Sequence, residues 1–381
     1  MIRTKAEMQA AARKAAMDRY EELYKSEDVP INTSAAGFKS DCEDLTPRIG
    51  TGYPELDQAL NGGLANELYI LGAETSTGKS AFLMSVAQNV AEQGFDVLYF
   101  SLEMGKKEFI ARGTSGISFE HWVSDSAAKR VTAADVLYWR WDKTLEDFTR
   151  VPYKAFSSYT DEYFRRYGEH LRIIEGGAGG GLTVQDIVGL CKLHKAKTGK
   201  PPVVMIDYLQ IIRPDPEDRT QADRKTKMDT TVTALKALAS QVGMPVVTIS
   251  SIGRTKYRHK VSKESFKESG DIEYTGGVLL GWNWLGVTDA GGDEAAVEKK
   301  KCRDQKYRRM ELDVLKYRNS EIDTGVKLFY VPAYNKFYSA QQWDGQNSAR
   351  RSLEEEKHNE EHSGDRSDPE PARPTMPPIR Y

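Results

Sequence analysis

Between Leu68 and Phe100 the chain runs through a short apolar stretch (LYIL), a polar loop, a helix-period stretch (SAFLMSVAQNVAEQ), a Gly and a second apolar stretch (VLYF). Two short apolar runs on either side of an amphipathic 3.6-residue pattern predict strand, crossover helix and strand, with the two strands parallel. The alternation continues. LRIIE (171–175) precedes the helical stretch VQDIVGLCKLHKAK, the apolar run VVMID follows, and a helix around Lys227 to Gln241 leads into PVVTIS. The later runs VLLGWNWLGV, MELDVLKYR and VKLFYV predict further strands, the last two as a hairpin. The expected fold class is α/β: a doubly wound, mostly parallel sheet with helices on both faces.

Outside this core the pattern changes. Residues 4 to about 25 carry Ala, Glu, Lys and Met with apolar positions at helical spacing, which predicts one amphipathic helix, and a linker follows. Residues 104–150 read as helical, whereas 151–170 mix aromatic and charged residues without a readable element and stand as a candidate insertion. From about Gly345 the chain holds too few apolar residues to fold and reads as a disordered tail. The expected organisation is an N-terminal helix and linker over 1–47, a main domain over 48–344 and a tail over 345–381.

Composition narrows the function classes. The chain has 381 residues, 39% of them hydrophobic, and Lys plus Arg (54) nearly balance Asp plus Glu (56), so any contact with nucleic acid has to be local. Cys42, Cys191 and Cys302 form no CxxC pair and read as free thiols. No apolar run approaches the roughly 18 residues of a membrane span, and the N-terminus lacks a signal-like apolar centre, so a cytoplasmic enzyme without a membrane partner is expected.

The strongest chemical signal is Ala73-Glu74-Thr75-Ser76-Thr77-Gly78-Lys79-Ser80, placed between a predicted strand and a predicted helix. In such a loop backbone N–H groups and the helix N-terminus cradle phosphate oxygens, a Lys (here Lys79) adds charge, and a hydroxyl (here Ser80) ligates Mg²⁺. Ala73 stands where the general pattern has its first Gly. Asp207 ends the strand VVMID and reads either as a magnesium-holding carboxylate or as the cap of the next helix. Glu103, in SLEM directly after VLYF, reads either as the carboxylate that orients water or as an acid that favours a helix start. The segment Gly253 to Lys263 is basic and carries a Tyr; Arg254, Lys256, Arg258, Lys260 and Lys263 are candidate phosphate-backbone contacts or an ordinary solvated loop.

Taken in order, TGYPELDQALNGGL, the Ala-first loop ending GKS, FSLEM, IDYLQII, PVVTISSIGR, KESGDIE and KYRN resemble the ATPase domain of DnaB-type replicative DNA helicases over roughly residues 48–340. The resemblance implies a RecA-like domain that uses ATP and Mg²⁺, with Glu103 as catalytic carboxylate and Asp207 as the magnesium Asp. It also implies a homo-oligomer, a hexameric ring, in which Lys316 and Arg318 reach a neighbouring subunit's ATP. Single-stranded DNA would be gripped by the basic loops, and replication proteins would be partners. Strand alternation places Lys316 and Arg318 on one face and Leu315 and Tyr317 on the other, where a solvated face is the plainer reading of the two basic residues.

Two departures matter. Ser251 stands where the family usually has a Gln that links the γ-phosphate to the DNA loop, and only about 45 residues precede the motor, so a motor-only chain is expected. The expected function is a ring-forming, ATP-dependent DNA helicase. The alternatives are a RecA-like ATPase acting as a recombination or repair mediator without unwinding, and a nucleotide-controlled loader.

Overall fold

Every apolar run predicted between Leu68 and Val331 is a strand of one nine-stranded sheet. The computed structural model describes residues 48–138, 153–176, 181–213, 224–252, 259–269, 276–286, 293–317 and 325–344, with a few isolated positions besides. The strands are β1 (Leu68–Ala73), β2 (Val97–Ser101), β3 (Leu171–Glu175), β4 (Val203–Asp207), β5 (Val246–Ser251), β6 (Val278–Trp284), β7 (Arg308–Tyr317), β8 (Gly325–Val331) and β9 (Lys336–Ser339). Their order is β3-β2-β4-β5-β1-β6-β7-β8-β9. The first six are parallel and the last three continue antiparallel. The hairpin of β7 and β8 is present, and the four-residue β9 adds a strand that sequence reading does not anticipate.

The α-helices whose bounds fall among the described residues are α1 (Pro54–Ala59), α2 (Lys79–Glu92), α3 (Lys106–Ser124), α4 (Ala133–Tyr138), α5 (Tyr153–Tyr167), α6 (Val184–Thr198), α7 (Arg224–Val242) and α8 (Asp293–Asp304). Successive residues of a strand point to opposite faces, and both faces of this sheet are covered, which is why the central strands read as unbroken apolar runs. Tyr69, Leu71, Tyr99, Met205, Ile249 and Trp282 pack in the core with α2, α3 and α5. Leu68, Ile70, Leu98, Phe100, Val204, Ile206 and Leu279 pack in the other with α6 and α7. Helix α6 is fixed at its start by a capping box in which Thr183 and Asp186 bond each other's backbone N–H groups, and at its end by Gly199 in the left-handed conformation; such caps contribute about 1 kcal/mol each.

The chain divides into two units, Met1–Pro47 and Arg48–Tyr381. In the first, Lys14, Met17, Asp18 and Glu21 are helical and exposed, and the rest of the expected helix lies outside the described residues. The expected tail also lies outside them. Among the described residues no helix is long and apolar enough to cross a membrane.

The unassigned stretch 151–170 is largely helix α5. Tyr159, Tyr163 and Tyr167, four residues apart, form its buried stripe, while Glu162 and Arg166 form ion pairs on its flank. Arg166 also bonds Glu120 of α3 at 2.7 Å, and Glu120 in turn pairs with Lys336 of β9. Burial pushes the Glu120 carboxyl up, but the charges of Lys336 and Arg166 outweigh it and hold the group below the usual carboxylate range. Strand β7 departs from the strict alternation expected of it. A bulge between the pairs Leu279↔Lys316 and Leu280↔Val314 leaves Leu315 as the extra residue, so Leu315 packs in the core of α6 and α7 whereas Tyr317 packs in that of α2 and α3. The bulge breaks the two-residue period that would have put both on one face.

The seating of α5 generates a prediction whose sign separates packing from propensity. A Cβ added to Gly113 of α3 would stand 2.0 Å from Cε2 of Tyr163. Helix propensity alone favours Gly113→Ala by up to about 1 kcal/mol, whereas overpacking of this contact costs about 1–3 kcal/mol. The thermal midpoint of Gly113→Ala is expected to fall by several degrees; a rise would show that α5 does not press on α3 at this point.

Candidate functional site

Parallel strands end at the same edge of a sheet, so the loops that leave them can share a ligand. The register sets Ala73 level with Ser251 on one side and Trp282 on the other, and Ser101 level with Asp207. The loop from Ala73 to Ser80 leaves β1 at this edge and enters α2 at Lys79.

The loop is braced from several elements. The Thr77 hydroxyl donates to the Glu74 carbonyl at 2.9 Å, closing a turn that contains Thr75 and Ser76, the latter with φ of 62°. The indole N–H of Trp282 in β6 donates to the Thr77 carbonyl at 3.1 Å. Gly78 has φ of 95°, and a Cβ there would stand 2.8 Å from the Tyr330 ring of β8, so both backbone conformation and space require Gly. The buried Glu74 carboxylate forms an ion pair with Lys299 of α8. No side chain caps α2 and its first turn holds no acid of its own, so the positive end of its dipole is directed at the loop.

Lys79 is buried and its ammonium lies 5.8 Å from the centroid of the Tyr208 ring. The Ser80 hydroxyl donates to Oδ1 of Asp207 at 3.2 Å, and the Tyr99 hydroxyl donates to Oδ2 at 3.4 Å. Asp207 is 1% exposed. Burial pushes its carboxyl above the usual range; the Ser80 bond and the Lys79 charge pull it down, and the charge of Glu103 pushes it up again. A hydroxyl and a carboxylate at this separation are the hard oxygen donors that Mg²⁺ prefers, so the residues fit that ion. Glu103 is exposed on the turn after β2, which the Leu102 N–H ties to the Asp207 carbonyl at 3.0 Å.

The fold thus brings Ala73–Ser80, Asp207 and Glu103 together. It places Lys316 elsewhere: through Leu279 it is level with Ile70, below the loop, and its ammonium bonds the Gly276 carbonyl at 3.0 Å. Arg318 lies outside the described residues, as do Arg254, Lys256 and Arg258. Lys260 pairs with Glu311 of β7 at 2.5 Å, and Lys263 begins a short 3₁₀ turn over Lys263–Ser269. At the neighbouring strand end the Gln210 side chain accepts from the Ser251 N–H at 3.2 Å and donates to the Ser251 carbonyl at 3.0 Å and to the Ser250 hydroxyl at 2.9 Å. Gln210, Tyr99, Trp282, Tyr330 and Lys299 are contributors that sequence reading misses, because each reaches the site through long-range packing with no local motif; only Gln210, three residues past Asp207, stands near one.

Asp207 carries a pH signature. Its folded pKa lies above the unfolded value, so the folded state holds the proton more tightly, and stability falls as pH rises from the unfolded value through the folded one. Asp207→Asn removes that cost. The ligand-free variant is expected to melt higher than the parent at pH 8, with the gap closing toward pH 4; a lower midpoint at pH 8 would contradict the burial account.

The pattern of the family described as "DnaB-like helicase C terminal domain" matches residues 48–148 and 165–339. The gap between the two blocks covers most of α5. Similar curated proteins are the replicative DNA helicase DnaC of Bacillus subtilis (strain 168), 26% identical over 293 residues, and the replicative DNA helicase DnaB of Geobacillus stearothermophilus, 28% identical over 294. In both cases the match covers 76% of this chain and 56% of the relative, so the chain spans little more than half the length of these relatives. Among solved structures, one described as an ATPase domain superposes with a TM-score of 0.63 at 21% identity, covering 82% of this chain and 99% of that one. A DnaB-like replicative helicase superposes with a TM-score of 0.62, also at 21% identity, covering 85% and 71%. These superpositions show the same RecA-like arrangement of sheet and helices. With the family pattern matched over most of its length, the chain belongs to the DnaB-like helicase C-terminal domain family.

Proposed function

We propose that the chain is an ATP-driven DNA motor, a ring-forming helicase in which hydrolysis moves the subunits along single-stranded DNA. The observation that carries the reading is the pairing of Ser80 with buried Asp207 beneath the uncapped start of α2, with Glu103 on the adjoining strand end. Loop N–H groups and Lys79 would hold the β- and γ-phosphates of ATP. Ser80 and Asp207 would hold Mg²⁺, which when bound neutralises charge on those phosphates. Glu103 orients a water and takes its proton as the water oxygen bonds to the γ-phosphorus, while the bond to the β-phosphate oxygen breaks and ADP leaves.

Lys316 and Arg318 belong to a neighbouring subunit's site in this reading. Strand direction supports it: β7 runs antiparallel to β6 and so heads away from its own loop as far as Tyr317. A hexameric ring supplies that neighbour. The segment Arg254 to Lys263 follows β5 and would contact the phosphates of single-stranded DNA without reading bases. Gln210 supports the coupling, because it joins the segment after Asp207 to the strand end from which that loop leaves, beside Ser251. Replication proteins are proposed partners on the same family footing.

Lys79→Ala should reduce ATP turnover to background in a phosphate-release assay, and near-normal turnover would refute the loop assignment. Arg318→Ala should lose turnover by a factor of about a thousand while still binding nucleotide. Mixed with Glu103→Gln subunits it should recover part of the activity, because some interfaces then hold one intact Glu103 and one intact Arg318. Mixed rings without recovery would remove Arg318 from the neighbour's site.

A further inference from the structure

Glu74 places a carboxylate inside the loop that the proposed function assigns to a triphosphate. It is 5% exposed, and a charge in such surroundings acts on neighbouring anions with little screening. Left alone it would repel the phosphates that Lys79 and the first turn of α2 attract. The charge is met by Lys299, 225 residues away in sequence, whose side chain is 11% exposed and whose ammonium pairs with Oε1 of Glu74. Lys299 comes from α8, in the connection between β6 and β7, and the pair lines a small cavity with Trp282, the residue that also bonds the Thr77 carbonyl. Both halves of the loop are therefore held by the same side of the sheet.

We propose that Lys299 is a positioning residue for the nucleotide: it cancels the charge of Glu74 and holds that carboxylate toward β6, so that the loop presents N–H groups and Lys79 to the phosphates. The inference rests on the reading of the loop as a triphosphate site. Losing one member of a buried pair leaves the other charge uncompensated, which is more damaging than losing both. The signature of Lys299 is accordingly electrostatic. Its loss weakens ligands in order of phosphate charge, and removal of the Glu74 charge reverses the effect.

The test is equilibrium titration of the 381-residue chain with a fluorescent ATP analogue and its ADP counterpart in the presence of magnesium. Wild type is compared with Lys79→Ala, Lys299→Met, Lys299→Arg, Glu74→Gln and the Glu74→Gln/Lys299→Met double variant. Lys299→Met is expected to bind the ATP analogue at least about tenfold more weakly, with a smaller loss for ADP. Lys299→Arg and the double variant should return to within about threefold of wild type. Wild-type affinity in Lys299→Met, alongside lost affinity in Lys79→Ala, would overturn the role of Lys299 and leave the function standing. Equal losses for ATP and ADP without rescue by Glu74→Gln would reduce Lys299 to a structural contact and likewise overturn the proposal. If wild type and Lys79→Ala bind alike, the triphosphate reading itself fails.

Discussion

The hydrogen bond from Ser80 to Asp207 joins the first turn of α2 to the end of β4, across the strand β5 that separates β4 from β1. The geometry around it depends on this juncture. It requires β1, β5 and β4 to be parallel and in register, so that the loop after Ala73 and the carboxylate at Asp207 arrive at one edge. It requires Asp207 to be buried, which raises the energy of its charge and makes the carboxylate a strong seat for a cation. Burial comes from covering both sheet faces with helices, so the chemistry of one side chain is set by the whole core.

Stability and chemistry oppose each other here. Asp207, Glu74 and Lys79 are charged groups with little exposure, each unfavourable to bury alone. The loop offsets that cost with partners from remote elements: Lys299 for Glu74, and Ser80, Tyr99 and Lys79 for Asp207. Trp282 and Tyr330 hold the backbone of the same loop from β6 and β8. The flank of the sheet that holds β6 and the antiparallel β8 therefore serves the site. It supplies the walls against which a glycine-containing loop is kept in one shape, which reduces the ordering cost of taking up a ligand.

The parts legible in the sequence are those whose cause is local. LYIL, VLYF, VVMID and PVVTIS read as strands because both of their faces are buried, and Asp207 and Glu103 stand out because strand ends in such sheets face ligands. Helix α5 is not legible, since its tyrosine stripe is interleaved with Asp, Glu and Arg, of which Glu162 and Arg166 pair with α3. The bulge at Leu315 is invisible because alternation carries no record of a register shift, and β9 is too short to stand out. Lys299 and Trp282 give no signal at all: their partners lie about two hundred residues away and only the closed sheet brings them near. The family resemblance reaches the loop, the carboxylates and the RecA-like fold, whereas the partners of the loop come from geometry alone.

The most direct measurement is ATP hydrolysis with and without single-stranded DNA at low and high salt, followed on the same sample by unwinding of a forked duplex. A DNA motor of this kind should show turnover that rises with DNA, a stimulation that weakens as salt increases, and strand separation that requires ATP. Turnover indifferent to DNA would contradict a DNA motor, and stimulated turnover without strand separation would contradict the helicase and favour a DNA-dependent ATPase that assembles without unwinding.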